Sequence, residues 1–320
     1  MVPFSNDECK TILCIVGPTA SGKTQLILDL CSRGIFVNPE IISMDSAQIY
    51  KDIDIATAKP SKEDQRLVKH HLIDIIDPKE SYSVSNFIYD SLKVLTDLRN
   101  KNATPIIVGG TMMYLDRLLK GISDVPTIPL HIRSEITNEG EKIGWQLMHE
   151  RLAKIDSQFA KRISNKDSQR ITRGLEVWMS SGKNLTQWNH NENPESLKFR
   201  KNFKLKIIAI LPKDRSNLHT RISSRFKKMI DNGLVEEVKR LKERSDIDTN
   251  CSSMRIVGVK QVLDYLNKKD NKDEMVMKGI IATRKLAKRQ ITWINSFENI
   301  EKVDMETVNT NQMISILRLS

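Results

Sequence analysis

A glycine-rich octapeptide near the N-terminus constrains the fold of this chain more than any other feature. It reads GPTASGKT over residues 17–24, follows the apolar run TILCIV at 11–16 and precedes QLILDLCSR, which has helical spacing. The pattern GxxxxGK[ST] between a strand and a helix is the signature of a phosphate-binding P-loop. Backbone N–H groups of such a loop converge on phosphate oxygens, and the dipole of the following helix adds positive potential. The sequence therefore predicts a site for a diphosphate or triphosphate.

Two side chains of this loop have predicted roles of their own. Lys23 supplies a positive charge to the terminal phosphate, and the hydroxyl of Thr24 can bind Mg²⁺. The motif predicts that a diphosphate or triphosphate binds here, but it does not identify the reaction. The predicted phosphate-binding residues are Gly17, Pro18, Thr19, Ala20, Ser21, Gly22, Lys23 and Thr24.

Further short apolar runs predict the rest of a sheet. Beyond residues 11–16 they lie at 41–44, 72–76, 106–108 and 205–211, and segments with helical periodicity separate them, most clearly at 84–100. Strands that alternate with helices are typical of an open parallel sheet with ligands at the carboxyl ends of its strands. We predict an α/β fold: a P-loop NTPase-like parallel sheet core with a helical insertion domain and a helical C-terminal region.

The pattern changes in the middle of the chain. Pro126 and Pro129 mark a linker, and the segment beyond them is polar and helical without a strand-like run until 205–211. We therefore predict a helical insertion domain at 121–200 and a P-loop catalytic core formed by 1–120 and 201–320. Its C-terminal helices are predicted at 217–231, 234–244, 256–267 and 274–296.

Composition limits the class of protein. Of the 320 residues 39% are hydrophobic and 28% are charged, which excludes disordered and collagen-like chains. No apolar run approaches the roughly 18 residues that span a bilayer. Acidic residues precede the first apolar stretch, so we expect no secretory signal. Since Cys9, Cys14, Cys31 and Cys251 lack CxxC spacing, we expect reduced thiols in a cytoplasmic protein rather than a zinc site or disulfides.

Positive charge is concentrated in one segment. Residues 198–244 hold 15 basic and five acidic side chains, and so carry nearly all of the net charge of +11. Basic residues that only solubilise a surface are usually interspersed with acids, so this block favours a polyanionic partner. A solvated helical face is the alternative.

A second polar cluster is predicted beside the P-loop. Asp45 follows the predicted strand at 41–44, and Gly109-Gly110-Thr111 follow the one at 106–108. Because parallel strands end at one edge of the sheet, Asp45 and Thr111 should lie near the loop. Asp45 is a candidate outer Mg²⁺ ligand or a base, and an N-cap is the structural alternative. His70 and His71 are adjacent, point apart and are expected to be structural.

Several motifs together resemble one family. The chain is similar to tRNA dimethylallyltransferases over roughly residues 11–297, with small departures at Ala56 and Val259. It lacks the C-terminal zinc finger of eukaryotic relatives, so we expect the bacterial form. The shared motifs are GPTASGKT, DSAQIY at 45–50, ATAKP at 56–60, HHLIDI at 70–75, GGT with Tyr114, QRITRGLE at 169–176, RIVG at 255–258 and KRQITW at 288–293.

The resemblance implies a reaction. Such enzymes bind dimethylallyl diphosphate rather than ATP and transfer its five-carbon group to N6 of the adenine just 3′ of the anticodon, with Mg²⁺ as cofactor. By this resemblance Asp45 is the base, Thr111 is its hydrogen-bonding neighbour, and Arg225 reaches the diphosphate. Arg221, one helical turn before Arg225, is a weaker candidate. N6 becomes acidic only as the new bond forms, so a carboxylate with an ordinary pKa can take its proton.

The resemblance also implies a tRNA anticodon stem-loop as partner of a monomer. Two alternatives stay open: a P-loop small-molecule kinase, and a nonenzymatic RNA-binding NTP switch. The residues predicted to contact tRNA are Asp45, Ser46, Ala47, Gln48, Thr111, Arg133, Gln169, Arg170, Ile171, Thr172, Arg173, Arg255, Ile256, Val257, Gly258, Val259, Lys260, Lys288, Arg289, Gln290, Ile291, Thr292, Trp293, Ile294 and Asn295.

Overall fold

A computed structural model of the chain describes residues 10–318; the expectations for the N-terminal segment and for Cys9 concern residues outside this range. Cys14, Cys31 and Cys251 are free thiols. Among the described helices, none is long and apolar enough to cross a bilayer.

A parallel sheet of six strands forms the centre of the fold. Its spatial order is β3-β2-β4-β1-β5-β6, and every pair of neighbours is parallel. The predicted α/β class with a parallel sheet is therefore confirmed. The strands are β1 (Lys10–Val16), β2 (Pro39–Met44), β3 (Lys69–His71), β4 (Thr104–Gly109), β5 (Phe203–Leu211) and β6 (Glu301–Asp304).

Helices connect and follow these strands. In chain order they are α1 (Lys23–Ser32), α2 (Lys62–Leu67), α3 (Val84–Asn100), α4 (Met112–Lys120), α5 (Leu130–Ile143), α6 (Trp145–Ile155), α7 (Ser157–Ala160), α8 (Ser168–Ser181), α9 (Leu185–Trp188), α10 (Pro194–Asn202), α11 (Arg215–Asp231), α12 (Leu234–Glu243), α13 (Val259–Leu266), α14 (Lys272–Asn295) and α15 (Thr310–Arg318).

The chain divides into two compact units. Residues 117–200 form one, and the residues before and after them form the other, which contains the sheet. The helical unit has its own core, in which Ile136, Met148 and Leu152 pack against Ile171 and Leu175. Two cores belong to the sheet unit: one lies between β1, α1 and the C-terminal elements, and the other joins α11, α12, α13 and α14.

Strand register brings the candidate site residues to one edge of the sheet. Val16 and Met44 are both aligned with Gly109, and Val16 is also aligned with Ala209 on β5. The P-loop directly follows Val16, Asp45 directly follows Met44, and Thr111 lies two residues after Gly109. The expected convergence at the carboxyl edge is therefore present in the fold.

The predicted strand at 72–76 is wrong. The pairing segment is Lys69–His71 instead, and only Ile76 forms an isolated bridge, to Tyr50. The backbone of Leu72 (φ 60°) and of Asp74 (φ 55°) lies in the left-handed region, which interrupts an extended strand. β6 is not among the predicted strands, because in EKVD only Val303 is buried and the apolar signal is a single residue.

Close packing between α11 and α14 depends on one glycine. A Cβ atom at Gly279 would lie 2.0 Å from Cζ of Phe226. Both helices contribute side chains to the site described below, so the distance between them affects that site as well as the stability of the fold.

We expect Gly279→Ala to lower the free energy of unfolding by about 1–3 kcal/mol, because overpacking exceeds the roughly 1 kcal/mol that alanine gains in a helix. Urea denaturation measures the change. In a Phe226→Leu background, where the space is larger, the same substitution should cost less. An equal cost in both backgrounds would contradict this packing argument.

Candidate active site

The P-loop is shaped by a close backbone approach. A Cβ atom at Gly17 would lie 2.7 Å from the carbonyl oxygen of Ile210 on β5, so only glycine fits between the loop and the sheet. Ala20 (φ 66°) and Gly22 (φ 87°) then turn the chain into α1. Within the described chain no hydrogen bond occupies the N–H groups of Gly22, Lys23 and Thr24, as expected for the first turn of a helix. These donors are available to an anion.

Lys23 lies partly buried within the same loop. Its Nζ donates a hydrogen bond to the carbonyl oxygen of Pro18 at 3.1 Å. Burial lowers the pKa of Lys23 from 10.5 to about 8, while the nearby Asp45 carboxylate opposes this effect and the Arg225 guanidinium adds to it. Desolvation disfavours the charged form of a lysine. An anion bound to the loop would restore that charged form.

Two arginines from α11 lie beside the loop. Arg225 is partly buried and lines both cavities described below; burial lowers its pKa, and Asp45 acts in the opposite direction. Arg221 is one turn earlier, and its Nη1 lies 3.7 Å from the position that a Cβ at Gly22 would occupy. Both predicted arginines are thus near the P-loop, because residues four apart share one face of a helix.

Asp45 and Thr111 occupy adjacent turns at the strand ends. Oδ1 of Asp45 accepts a hydrogen bond from the N–H of Ala47 at 2.9 Å, which fixes the carboxylate. Oγ1 of Thr111 accepts one from the N–H of Ser46 at 2.9 Å. The second oxygen of Asp45 has no hydrogen-bond partner among residues 10–318, so it can accept a proton or a ligand.

Opposite charges at this site are close but not paired. Asp45 influences the pKa values of Lys23 and Arg225, yet none of the salt bridges formed by the described residues joins any two of the three. The cations are therefore free to bind an anion, and the carboxylate is free to act as a base. An internal ion pair within hydrogen-bond distance would have weakened both functions.

Gln290 on α14 forms hydrogen bonds to two loops. Its Oε1 accepts a hydrogen bond from the N–H of Thr19 in the P-loop at 2.9 Å, and its Nε2 donates one to the carbonyl oxygen of Gly110 at 2.8 Å. Both ends of the amide are thus used within the protein. The structure places this residue, predicted to contact tRNA, in the framework that positions the P-loop against the turn containing Thr111.

Gln48 also belongs to an internal network. Its Oε1 accepts a hydrogen bond from Oγ of Ser43, and its Nε2 lies 3.4 Å from the carbonyl oxygens of Thr57 and Ala58. It lines the smaller cavity at the P-loop and is absent from the lining of the larger one. Ser46 and Ala47, predicted with it, do line the larger cavity.

Glu237 is not among the predicted site residues. This buried carboxylate on α12 accepts hydrogen bonds from the N–H groups of Asp54, Ile55 and Ala56 at 2.8, 2.8 and 2.9 Å. It thereby holds the segment that brings Ala56 and Thr57 to the cavity wall. No signal in a single sequence connects positions about 180 residues apart, so pattern reasoning had no means of finding this contact.

Two cavities meet at Asp45. The loop cavity, about 300 Å³, contains the P-loop side chains Lys23 and Thr24. The reaction cavity, about 630 Å³, is lined mainly with apolar side chains. Asp45, Thr57 and Arg225 line both, so a charged ligand in the first can extend an apolar or planar group into the second. The apolar lining of the reaction cavity includes Tyr50, Tyr82, Tyr114, Ile222, Phe226, Met229 and Leu286.

Part of the predicted tRNA surface lies at the reaction cavity. Arg255, Ile256 and Val257 line it, as do Arg289 and Trp293 on α14. Lys260, Lys288, Thr292 and Asn295 are exposed outside its lining. Val259, Ile291 and Ile294 are buried in the hydrophobic cores, and Gly258 is also buried. The side chains of Val259, Ile291 and Ile294 therefore pack inside the protein, and contact with RNA at these positions stays a prediction.

The remaining predicted tRNA residues lie in the helical unit. Arg133 Nε and Nη2 donate hydrogen bonds to the fully buried carboxylate of Glu176 at 2.8 and 2.9 Å, and Arg173 Nη1 donates one at 2.8 Å. Arg170 pairs with Asp167 at 3.3 Å. Gln169 is exposed, whereas Ile171 and Thr172 are buried. Arg133 and Arg173 thus have a structural role that the sequence did not indicate.

The part of the chain that the structure describes contains no cluster of three or more His, Cys, Asp or Glu side chains that could hold a metal ion. His70 hydrogen-bonds the carbonyl oxygen of Val68, and His71 hydrogen-bonds Glu40. Thr24 and Asp45 supply hard oxygen atoms at the loop cavity.

Comparisons with known proteins agree with this geometry. The family model described as IPP transferase matches residues 48–297. A full-length tRNA isopentenylpyrophosphate transferase structure from Bacillus halodurans is 31% identical, with TM-score 0.68, over 98% of this chain and 95% of that one. A tRNA delta(2)-isopentenylpyrophosphate transferase from Staphylococcus epidermidis is 29% identical, with TM-score 0.66, over 97% of each chain.

A third structure shares the fold. It is a eukaryotic dimethylallyltransferase acting on tRNA, 23% identical, with TM-score 0.74, over 96% of this chain and 78% of that one.

The Gln290 bridge generates a prediction. Gln290→Leu leaves the Thr19 N–H and the Gly110 carbonyl without partners, and we expect it to reduce the free energy of unfolding by about 1–3 kcal/mol. Urea denaturation measures the loss, and Gln146→Leu on an exposed position of α6 is the matched control. Equal midpoints for Gln290→Leu and the control would show that the bridge has no structural importance.

Proposed function

We propose, from the premise that the chain belongs to the IPP transferase family, that it transfers a dimethylallyl group from dimethylallyl diphosphate to N6 of the adenine 3′ of the anticodon in tRNA. Diphosphate is the other product. The names of the two bacterial relatives support tRNA as the substrate. The observation that carries the proposal is the unpaired Asp45 carboxylate at the junction of a cationic loop cavity and an apolar reaction cavity.

The loop cavity suits the diphosphate. Free N–H groups at the start of α1 and the ammonium group of Lys23 point to an anion of this kind. Arg225 adds a planar guanidinium, which can bind two phosphate oxygens at once. These groups would stabilise the negative charge that accumulates on the leaving diphosphate, which is usually the largest catalytic contribution.

Mg²⁺ fits the donor set at this cavity. The Thr24 hydroxyl and the Asp45 carboxylate are hard oxygen ligands, and this cation commonly binds through one or two protein oxygens together with substrate phosphates. We expect Thr24 to hold it. When bound, it would supply further neutralisation of the diphosphate charge.

The apolar wall suits the five-carbon group. As the C–O bond to the diphosphate breaks, its electron pair leaves with the oxygen and positive charge develops on the allylic carbons. The N6 lone pair then forms the new C–N bond. Phe226 and Met229 on α11 and Tyr114 on α4 line the cavity where this occurs, and they exclude water that would otherwise react with the cation.

Asp45 would remove the surplus proton. The N6 amine is a weak nucleophile whose N–H becomes acidic once the C–N bond forms, so an ordinary carboxylate is a sufficient base. Its fixed orientation by the Ala47 N–H keeps one oxygen available. Thr111, held by Ser46, is the neighbouring group that can hydrogen-bond the adenine.

The target base would have to leave its stack to reach the reaction cavity. Unstacking costs less free energy in a loop than in a duplex. Arg255, Arg289 and Trp293 would contact the RNA at the reaction cavity, and the arginines of the helical unit remain further proposed contacts. A monomeric, cytoplasmic enzyme is part of the same proposal.

Calorimetry tests the proposal against the kinase and NTP-switch alternatives. We expect dimethylallyl diphosphate to bind at least ten times more tightly than ATP, because the apolar reaction cavity accepts a prenyl group beside the phosphates. Tighter binding of ATP, with phosphate transfer or slow hydrolysis, would favour one of the alternatives.

The proposed base leads to a kinetic prediction. Asp45→Asn keeps the hydrogen bond from Ala47 but cannot accept a proton, so kcat should fall about 100-fold or more while the Kd for tRNA changes little. Single-turnover transfer assays measure the first quantity, and Asp52→Asn, at an exposed nearby position, is the control. Near-wild-type turnover in Asp45→Asn would refute the assignment.

Lys23 gives the site a pH dependence. Since burial lowers the pKa of Lys23 to about 8, the free protein loses this positive charge as pH rises through that value. The Kd for dimethylallyl diphosphate, measured without tRNA, should be constant below about pH 8 and then rise by up to about tenfold per pH unit. Lys23→Gln should bind weakly at every pH. A wild-type Kd that stays constant up to about pH 10 would contradict a phosphate contact by Lys23.

A further inference from the structure

A second cationic cavity lies between α11 and α14. It has a volume of about 250 Å³, and its lining includes Arg215 and His219 from α11 and Arg284, Lys285 and Lys288 from α14. Apolar side chains complete the wall. A volume several times that of one water molecule, about 30 Å³ in the liquid, admits a small hydrated anion.

This cavity is separate from the active site. On α14 its lining residues are at positions 281, 284, 285, 287, 288 and 291, whereas the reaction cavity is lined from positions 283, 286, 289, 290 and 293. On α11, His219 lines this cavity, whereas Arg225 lines the reaction cavity. The two sets have no position in common, so they occupy different faces of both helices.

In the described part of the protein, the lining of this cavity includes five basic side chains and no acidic one. None of the five basic side chains forms a salt bridge with an acid among residues 10–318. Asp214 is near His219, and its carboxylate accepts hydrogen bonds from the Ser216 N–H and hydroxyl. One acid beside two arginines and two lysines leaves a surplus of positive charge, which an anion can neutralise.

Arg284 is held in place for such an anion. Its Nη2 donates a hydrogen bond to Oγ of Ser223 at 3.0 Å, and its buried Nε has no hydrogen-bond partner in the protein. A fixed guanidinium loses little side-chain freedom when it binds an oxyanion, and its planar geometry matches that of a phosphate. The lysines supply flexible point charges around it.

We propose that this cavity binds a phosphate group, and that in the working enzyme the phosphate belongs to the RNA backbone. The source of the phosphate rests on the proposed function; the anion site itself rests only on the charges and the cavity. A phosphate held on the other face of α14 would orient the RNA without contacting the reacting base, since phosphate contacts position and base contacts specify.

Binding to a fluorescein-labelled, unmodified anticodon stem-loop tests the site. The variant Arg215→Gln/Lys285→Gln removes two exposed charges from the cavity, and Lys239→Gln/Arg240→Gln removes two exposed charges from α12, outside it. We expect the first to raise Kd about five- to tenfold and to reduce the slope of log K against log[salt] by about one. The control should change Kd by less than about twofold.

Inorganic phosphate at constant ionic strength is the second probe. Both variants keep the P-loop, so stabilisation by phosphate over chloride in thermal unfolding that is smaller in the cavity variant than in the α12 control supports an anion site even if RNA binding is unaffected; the ligand is then a free anion. Equal effects of the two variants on RNA binding, with equal stabilisation of both by phosphate, overturn the proposal. Absence of RNA binding by the wild type would reject the proposed function, and the phosphate measurement would still decide the site.

Discussion

Separation of opposite charges at the carboxyl edge of the sheet is the constraint on which the rest of this structure depends. Asp45 is near enough to Lys23 and Arg225 to influence their pKa values, but no salt bridge joins them in the described chain. A direct pair would satisfy these groups in the free protein and leave nothing for a substrate. Because Lys23 and Arg225 are buried without a salt bridge to any described residue, the free protein bears a desolvation cost that a bound diphosphate can relieve.

Long-range contacts keep these groups in place. β1, β2 and β4 end in register, Gln290 fixes the P-loop to the turn after β4, and Glu237 fixes the segment at 54–56. The last two side chains come from C-terminal helices, so the second half of the sheet unit completes a site whose motif lies in the first.

Sequence reasoning could predict features that are local in the chain. The P-loop, the helix at 84–100 and the convergence of Asp45 and Thr111 follow from short patterns and from the rule that parallel strands end at one edge. It failed at 72–76, where left-handed backbone at Leu72 and Asp74 interrupts an apolar run. It also could not separate Gln290, which is bound internally, from Arg289 beside it, because that depends on tertiary contacts between distant segments.

Product analysis tests the central claim most directly. The full chain is incubated with Mg²⁺, dimethylallyl diphosphate labelled in its prenyl group and an unmodified tRNA, and the RNA is then digested to nucleosides. The account predicts that the label appears in N6-dimethylallyladenosine derived from the adenine 3′ of the anticodon, with one diphosphate released for each nucleoside formed. Label on another base, or release of labelled alcohol without modified RNA by protein that binds both substrates, would contradict it.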